Sequence, residues 1–227
     1  MDILEPAEDR GVLAGQWGPA VRIVRVIAAS RTAHQWLVAL ALVTLLSFLL
    51  GTRAVVIHLS AALTPNKLPF PELCSVVAAV AGVILLRPRT WEWDRVATGR
   101  ASAVSAVCAF AGIAAPAIVV VAGSMRLPDG VPWGWQVANC VIFGAVAFCL
   151  GPLVGSGLAG GLTLLLYMLC GVANHLVPGL RPLFPVVAYP GPEGNWIFAV
   201  ALAVLALGIN ARTRGSTARA RRLFAET

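Results

Sequence analysis

The uncharged run over residues 135–176 limits the possible fold more than any other feature of the sequence. It contains no Asp, Glu, Lys or Arg, and its only basic side chain is His175. As one helix this run would be about 63 Å long, whereas the hydrocarbon core of a bilayer is about 30 Å thick. We therefore predict that it crosses a membrane twice and turns within residues 151–161, which hold one proline and five glycines.

The composition extends this conclusion to the whole chain. Hydrophobic residues make up 59% of the 227 residues and charged residues 12%, whereas about 25% of the residues in a soluble domain are charged. Because so few charges cannot cover a globule with a water-compatible surface, we predict an all-α integral membrane protein in contact with the lipid bilayer. The net charge of +7 comes from residues between the apolar runs, a distribution that argues against nucleic-acid binding.

Six apolar runs are long enough to cross a bilayer. We predict transmembrane helices over residues 33–51, 70–86, 101–122, 135–150, 158–176 and 195–210. Pro71 stands at the start of the second helix, where its missing N–H costs nothing, and Pro116 is expected to kink the third. Trp36, Trp133 and Trp135 are predicted to anchor their spans at the membrane interface.

The basic residues predict the orientation of these spans. With both termini in the cytosol, thirteen of the seventeen Lys and Arg residues lie on the cytosolic side. The four outside are Arg53, Lys67, Arg126 and Arg181. Because cytoplasmic loops carry an excess of Lys and Arg, we predict cytosolic N- and C-termini. The chain then divides into a cytosolic tail (1–18), a transmembrane domain (19–212) and a basic cytosolic tail (213–227).

Two segments outside the spans have a distinct pattern. Residues 19–30 predict an amphipathic helix in the membrane interface, with Arg22 and Arg25 directed toward lipid phosphates. The alternative is a basic flank that only orients the first span. Residues 178–192 contain five prolines among apolar side chains, which predicts a re-entrant-like segment of short helical pieces in the outer interface before the sixth span.

The charged segment between spans two and three, residues 87–100, predicts a short cytosolic helix. Thr90 can cap it, and Glu92 and Asp94 would then lie in its first turn, where the helix dipole favours acids. Gly99 is placed to end it. So short a helix is marginal by itself, and contact with another subunit would stabilise it. The alternative is a plain interfacial loop with tryptophan anchors.

The chain carries no recognisable enzyme motif. It has no GxxxxGK[ST] loop for ATP and no HExxH, and its five cysteines show no metal-ligand spacing. Ser156 and His175 resemble a serine/histidine intramembrane protease only faintly. Within the spans, Asn139, Asn174 and His175 are the notable polar groups, which we expect to form interhelical hydrogen bonds or to line a pathway. No acid lies at mid-span, which argues against an ion-coupled carrier.

The layout of the chain resembles the permease subunits of type-2 ABC exporters. The shared features are an amphipathic helix before six spans, a short cytosolic helix after the second span and a proline-rich apolar segment before the sixth. This resemblance covers about residues 19–212. In that family the helix between spans two and three couples the permease to its ATPase. By resemblance, the coupling residues would be Arg89, Thr90, Trp91, Glu92, Trp93, Asp94 and Arg95.

The resemblance also implies partners and a location. The chain would pair with a second, identical permease subunit and with separate nucleotide-binding ATPase subunits, in the cytoplasmic membrane of a bacterium. ATP and Mg²⁺ would be bound by the partner, so that this chain is not an enzyme and holds no cofactor. A peptide or antibiotic-like compound is the cargo that the resemblance suggests. Two alternatives stay open, a non-transporting scaffold or anchor subunit and a carrier driven by an ion gradient.

Overall fold

The computed structural model describes residues 32–57, 66–88, 100–128, 130, 132–177, 195–217 and 220. About 80% of these residues are helical. Along this part of the chain the elements are α1 (Ala33–Leu49), β1 (Ala54–Ile57), β2 (Asn66–Pro69), α2 (Phe70–Leu85), α3 (Arg100–Ala114), α4 (Pro116–Ser124), α5 (Gly134–Val154), α6 (Ser156–Leu176) and α7 (Trp196–Thr213).

Proline and glycine set the helix boundaries. Pro71 lies in the first turn of α2, as predicted. Pro116 begins α4 directly after α3, and Ala115 between them keeps helical angles of φ −61° and ψ −33°. The stretch Ala101–Ser124 is therefore helical throughout, with its hydrogen-bond pattern interrupted at Pro116, where the kink is predicted. The predicted turn within the uncharged run is confirmed, but it is narrower than residues 151–161. It consists of Gly155 alone, which adopts φ 92° and ψ 151°, a conformation essentially restricted to glycine.

The prediction of an all-α protein needs one correction. The segment between α1 and α2 contains an antiparallel β-hairpin in which Val55 pairs with Leu68 and Val56 with Lys67. Leu68 is fully buried and packs with Val76 of α2 and Tyr167 of α6. The hairpin is therefore part of the bundle core at one end, which we call the hairpin end.

The helices run alternately toward and away from the hairpin end. The Thr32 hydroxyl donates to the carbonyl of Leu85, so the start of α1 lies beside the end of α2. The start of α5 contacts the start of α2 through Asn139, and the Thr217 hydroxyl donates to the carbonyl of Pro152 at the end of α5. Helix α1 therefore begins, and helix α7 ends, on the same side of the bundle. We call this side the Thr32 end.

Helix α2 occupies the centre of the bundle. It packs against α1, α4, α5 and α6, whereas α7 packs mainly against α5 and α3. One core cluster includes Val83 of α2, Phe148 of α5 and Ala206 of α7. Trp36 belongs to the same cluster and is only 7% exposed. The prediction that it is an interfacial anchor is wrong, because its indole fills the space above Gly82, where a Cβ atom would lie 3.3 Å from Nε1. Trp135 is likewise buried.

Four helical stretches are long and apolar enough to cross a membrane: Ala101–Ser124, Gly134–Val154, Ser156–Leu176 and Trp196–Thr213. Helices α1 and α2 are also apolar but shorter, at 17 and 16 residues. The outward face of α7 is strongly hydrophobic, with Ile197 81% and Phe198 68% exposed. Apolar surfaces of this kind indicate a membrane protein, since lipid is the solvent that tolerates them.

Candidate functional site

The carboxyl group of Glu72 is the centre of a buried polar cluster at the hairpin end. Glu72 lies in the first turn of α2 and its side chain is fully buried. Its Oε1 accepts a 3.0 Å hydrogen bond from Nδ2 of Asn139, and its Oε2 has no hydrogen-bond partner among the described residues. A charged carboxylate is costly to bury unless a cation or a proton offsets its charge. Burial of Glu72 therefore favours a carboxyl that carries a proton or is paired with a cation.

Asn139 connects three helices through this carboxyl. It projects from α5, donates to Glu72 of α2, and accepts a 3.1 Å hydrogen bond at Oδ1 from Nδ2 of Asn195. Asn195 precedes the first residue of α7. The prediction that Asn139 forms interhelical hydrogen bonds is thus confirmed. These hydrogen bonds among three side chains fix the starts of α2, α5 and α7 relative to one another.

Further polar groups surround the hydrogen-bonded side chains of Glu72, Asn139 and Asn195. Oγ of Ser75 donates to the backbone carbonyl of Glu72 at 2.7 Å, and the Cys140 thiol is fully buried one residue after Asn139. The Tyr167 ring packs edge-on against Phe143, 5.3 Å between centroids. Its hydroxyl is buried without a partner among the described residues and interacts electrostatically with Glu72. Helix α6 therefore contributes a hydroxyl to the surroundings of a carboxyl held by α2 and α5.

The other predicted polar residues lie in the last turn of α6. Asn174 is 1% exposed, and neither its amide nitrogen nor its carbonyl oxygen has a partner among the described residues. The interhelical hydrogen bond expected of Asn174 therefore stays a prediction. His175 is buried beside it and makes an interaction of its own. Buried polar atoms without protein partners are commonly satisfied by water or by a ligand.

The faint protease pattern does not form a site. Ser156 begins α6 and His175 lies in its last turn, nineteen positions further along the same helix. At 1.5 Å per residue they are about 28 Å apart, far beyond the hydrogen-bond distance that a nucleophile and its base require. In the described part of the chain, no three His, Cys, Asp or Glu side chains are grouped so as to hold a metal ion.

The predicted coupling residues and interfacial arginines lie outside the described residues. The coupling set comprises Arg89, Thr90, Trp91, Glu92, Trp93, Asp94 and Arg95, and the interfacial pair is Arg22 and Arg25. The proline-rich segment of residues 178–192 also lies outside them. The residues that flank the coupling segment are described: Pro88 follows α2 and packs against Gly215, which in turn packs against Ser105 of α3. Both flanks of this segment are therefore at the Thr32 end.

Glu72 has no role among the sequence-based predictions, because acids are expected to act at mid-span and Glu72 stands near one end of its helix. The usable signal was that Glu72 is the only acid within any predicted span, since an ionisable residue inside a span is commonly functional. Comparisons of the chain with protein families, curated proteins and solved structures found no match.

Proposed function

We propose that the chain crosses the cytoplasmic membrane of a bacterium six times, with both termini in the cytosol. In this arrangement α3 and α4 together form one span, and the other helices form one span each. Two observations support it. The six helical stretches alternate in direction, and with the Thr32 end in the cytosol thirteen of the seventeen Lys and Arg residues of the sequence would lie on the cytosolic side. The hairpin end then faces the outside.

We further propose that this chain is the permease subunit of an ATP-driven exporter, acting as a dimer with separate ATPase subunits. The observation that carries the proposal is the convergence of α2, α3 and the segment after α7 at the Thr32 end, where Gly215 packs against Pro88 and Ser105. A coupling helix in residues 90–98 would emerge from this junction. This junction joins both flanks of the segment to the end of α7. A displacement of the coupling helix would therefore move the spans that contain α2, α3 and α7 together.

An experiment on ATP hydrolysis tests the coupling role. The chain is expressed with its native partner ATPase, and the ATPase activity of the purified complex is compared with that of the ATPase alone. We expect Trp91→Ala and Glu92→Arg to abolish the stimulation while the protein stays in the membrane. Trp133→Ala is the matched control, because this exposed tryptophan lies at the hairpin end. Full stimulation in both coupling variants would overturn the proposal.

A second candidate function, a carrier driven by a cation or proton gradient, is favoured by one specific observation. Glu72 is a fully buried carboxyl whose Oε2 has no partner among the described residues, and it lies between helices rather than on a surface. In such a carrier Glu72 would bind the coupling ion, with Asn139 fixing its position. Glu72→Gln would then abolish the response to an imposed gradient, whereas an ATP-driven exporter would keep its ATPase stimulation.

The third alternative, a non-transporting scaffold or anchor subunit, predicts a different combination of results. A partner would associate with the chain, but neither the coupling variants nor Glu72→Gln would change the partner's activity. These three sets of outcomes are mutually exclusive, so the same panel of variants distinguishes all three functions.

A further inference from the structure

A pocket separate from the Glu72 cluster opens at the hairpin end. Its volume is about 260 Å³, and its walls come from the segment before β1, from β2, from the start of α2 and from residues 127 and 128 after α4. Pro69, Pro71 and Pro128 form an apolar wall. This volume is slightly below the range of about 300–1,000 Å³ that is typical of sites for drug-sized ligands. The pocket therefore has room for a small ligand or for the headgroup of a larger one.

Two cationic side chains line this pocket. Arg53 precedes β1 and Lys67 belongs to β2, and both are exposed. The hairpin fixes their backbones: the N–H of Arg53 donates to Leu50, and its carbonyl accepts a 3.0 Å hydrogen bond from Phe70. Lys67 is paired with Val56. Because an Arg fork and a Lys ammonium on one small pocket attract an oxyanion, the ligand should carry a phosphate or a similar group.

The pocket also contains a buried acceptor that lacks a donor. Gln136 lines it and is only 1% exposed, and its Oε1 has no hydrogen-bond partner among the described residues. An amide oxygen buried in this way usually has a partner that the protein alone does not supply. A ligand that bears an N–H or O–H group close to its phosphate would satisfy the amide oxygen and both cations at once.

The surroundings of the pocket resemble a membrane interface. Val55 and Val56 of β1 and Leu49 at the end of α1 are exposed apolar side chains close to the cationic pair. Cations beside exposed aliphatic side chains at the ends of spanning helices match the boundary between acyl chains and lipid phosphates. A third cation at this end, Arg126, lies over the ring of Phe48, 5.3 Å from its centroid, and does not line the pocket.

We propose that this pocket binds the phosphate headgroup of a lipid that carries a hydrogen-bond donor, such as the ammonium of an ethanolamine headgroup. The phosphate contacts Arg53 and Lys67, the donor reaches Oε1 of Gln136, and the acyl chains leave past Val55 and Val56. The proposal requires that the helices span the membrane. It does not depend on whether ATP, an ion gradient or neither drives the protein, so its failure is separable from failure of the proposed function.

The test uses the full chain, purified in detergent and exchanged into nanodiscs with equal fractions of phosphatidylethanolamine and phosphatidylcholine. Native mass spectrometry then counts the lipids that stay bound. The two lipids share a phosphate but only the first carries N–H donors. We expect retention of phosphatidylethanolamine with at least about tenfold preference, the factor expected from one charge-assisted hydrogen bond. Equal retention of both lipids, or of neither, would overturn the lipid proposal.

Variants identify the site. Arg53→Gln and Lys67→Gln should each reduce retention of phosphatidylethanolamine about tenfold or more. Arg126→Gln, which removes the same charge at the same end but outside the pocket, should leave it within about twofold. Gln136→Leu should abolish the preference over phosphatidylcholine, and Arg53→Lys should restore part of the retention. Equal losses in Arg126→Gln and Arg53→Gln would show that only the general charge matters and would contradict the proposal.

A final arm distinguishes the source of the phosphate. Inorganic phosphate and glycerophosphoethanolamine are titrated against the detergent-purified protein, and thermal stabilisation is measured. If the site takes a lipid, these soluble probes bind weakly and the lipid is retained. Stabilisation by inorganic phosphate that depends on Arg53 and Lys67, without lipid retention, would overturn the lipid as the source and assign the pocket to a soluble phosphate.

Discussion

Asn139 of α5 holds the carboxyl of Glu72 of α2 through a 3.0 Å hydrogen bond between Nδ2 and Oε1. Both side chains are almost completely buried, and the same Asn139 accepts a hydrogen bond from Asn195. One amide thus uses its donor toward the acid and its acceptor toward a third helix. The pair links α2 to α5 at the hairpin end, and its loss should affect both stability and any function of Glu72.

We predict that Asn139→Leu destabilises the protein by about 1–3 kcal/mol, because Glu72 and Asn195 both lose a buried partner. Glu72→Gln is the matched variant. Its amide oxygen still accepts from Asn139, so we expect its stability to be within about 1 kcal/mol of the wild type or higher. Thermal unfolding of the detergent-purified variants, followed by tryptophan fluorescence, measures both. Equal losses in the two variants would contradict this role of the hydrogen bond.

Gly155→Ala should destabilise the turn between α5 and α6. Gly155 adopts φ 92° and ψ 151°, where a Cβ atom costs about 1–3 kcal/mol. Gly157→Ala provides the control, because Gly157 lies two residues further along in α6 and has nothing within 4 Å of an added Cβ. Since alanine favours a helix, Gly157→Ala should be neutral or stabilising by about 0.5–1 kcal/mol. The melting temperature should therefore be lowest for Gly155→Ala, higher for the wild type, and equal to the wild type or higher still for Gly157→Ala. The reverse order would refute the assignment of this turn.

Gly123→Ala should separate α4 from α2. A Cβ atom at position 123 would lie 2.5 Å from Cγ of Pro71 and 2.6 Å from Oγ of Ser47. Overpacking of this kind costs about 1–3 kcal/mol. Gly208→Ala in α7 meets nothing within 4 Å and should not lower the stability. A normal melting temperature for Gly123→Ala would show that these helices pack less closely than described.

Cysteine labelling tests the proposed orientation. Thr52 and Arg87 are both exposed and lie at opposite ends of the bundle. We expect an impermeant maleimide to label Thr52→Cys in intact cells, but Arg87→Cys only after the membrane is permeabilised. The wild-type chain gives the background, because its five cysteines are buried or half-buried within helices. Labelling of both variants in intact cells, or of Arg87→Cys alone, would be inconsistent with the orientation.

The sequence predicts the helices well because their limits depend on local chemistry. Apolar runs, Pro71, Pro116 and Gly155 act within their own segments, so the predicted bounds lie within a few residues of those observed. The β-hairpin escaped prediction because each strand is only four residues long, too short for a clear alternating pattern.

The interior of the bundle was harder to predict, since burial depends on distant partners. Trp36 is enclosed because Gly82 leaves space for its indole and Phe148 belongs to the same core cluster, an arrangement that depends on how three helices pack. Glu72 has a buried partner because the start of α5 brings Asn139 to it, and Asn195 at the start of α7 donates in turn to Asn139. A single acid near a span end gives no local sign of such partners, and a hydropathy pattern alone cannot supply them.

Native mass spectrometry of the chain purified from its own membrane tests the central proposal most directly. A permease subunit predicts a complex of two copies of this 23.7 kDa chain with two nucleotide-binding subunits, and Glu92→Arg should release those subunits while the two copies stay together. A chain recovered without any nucleotide-binding subunit, or a complex that Glu92→Arg leaves intact, would contradict the proposal.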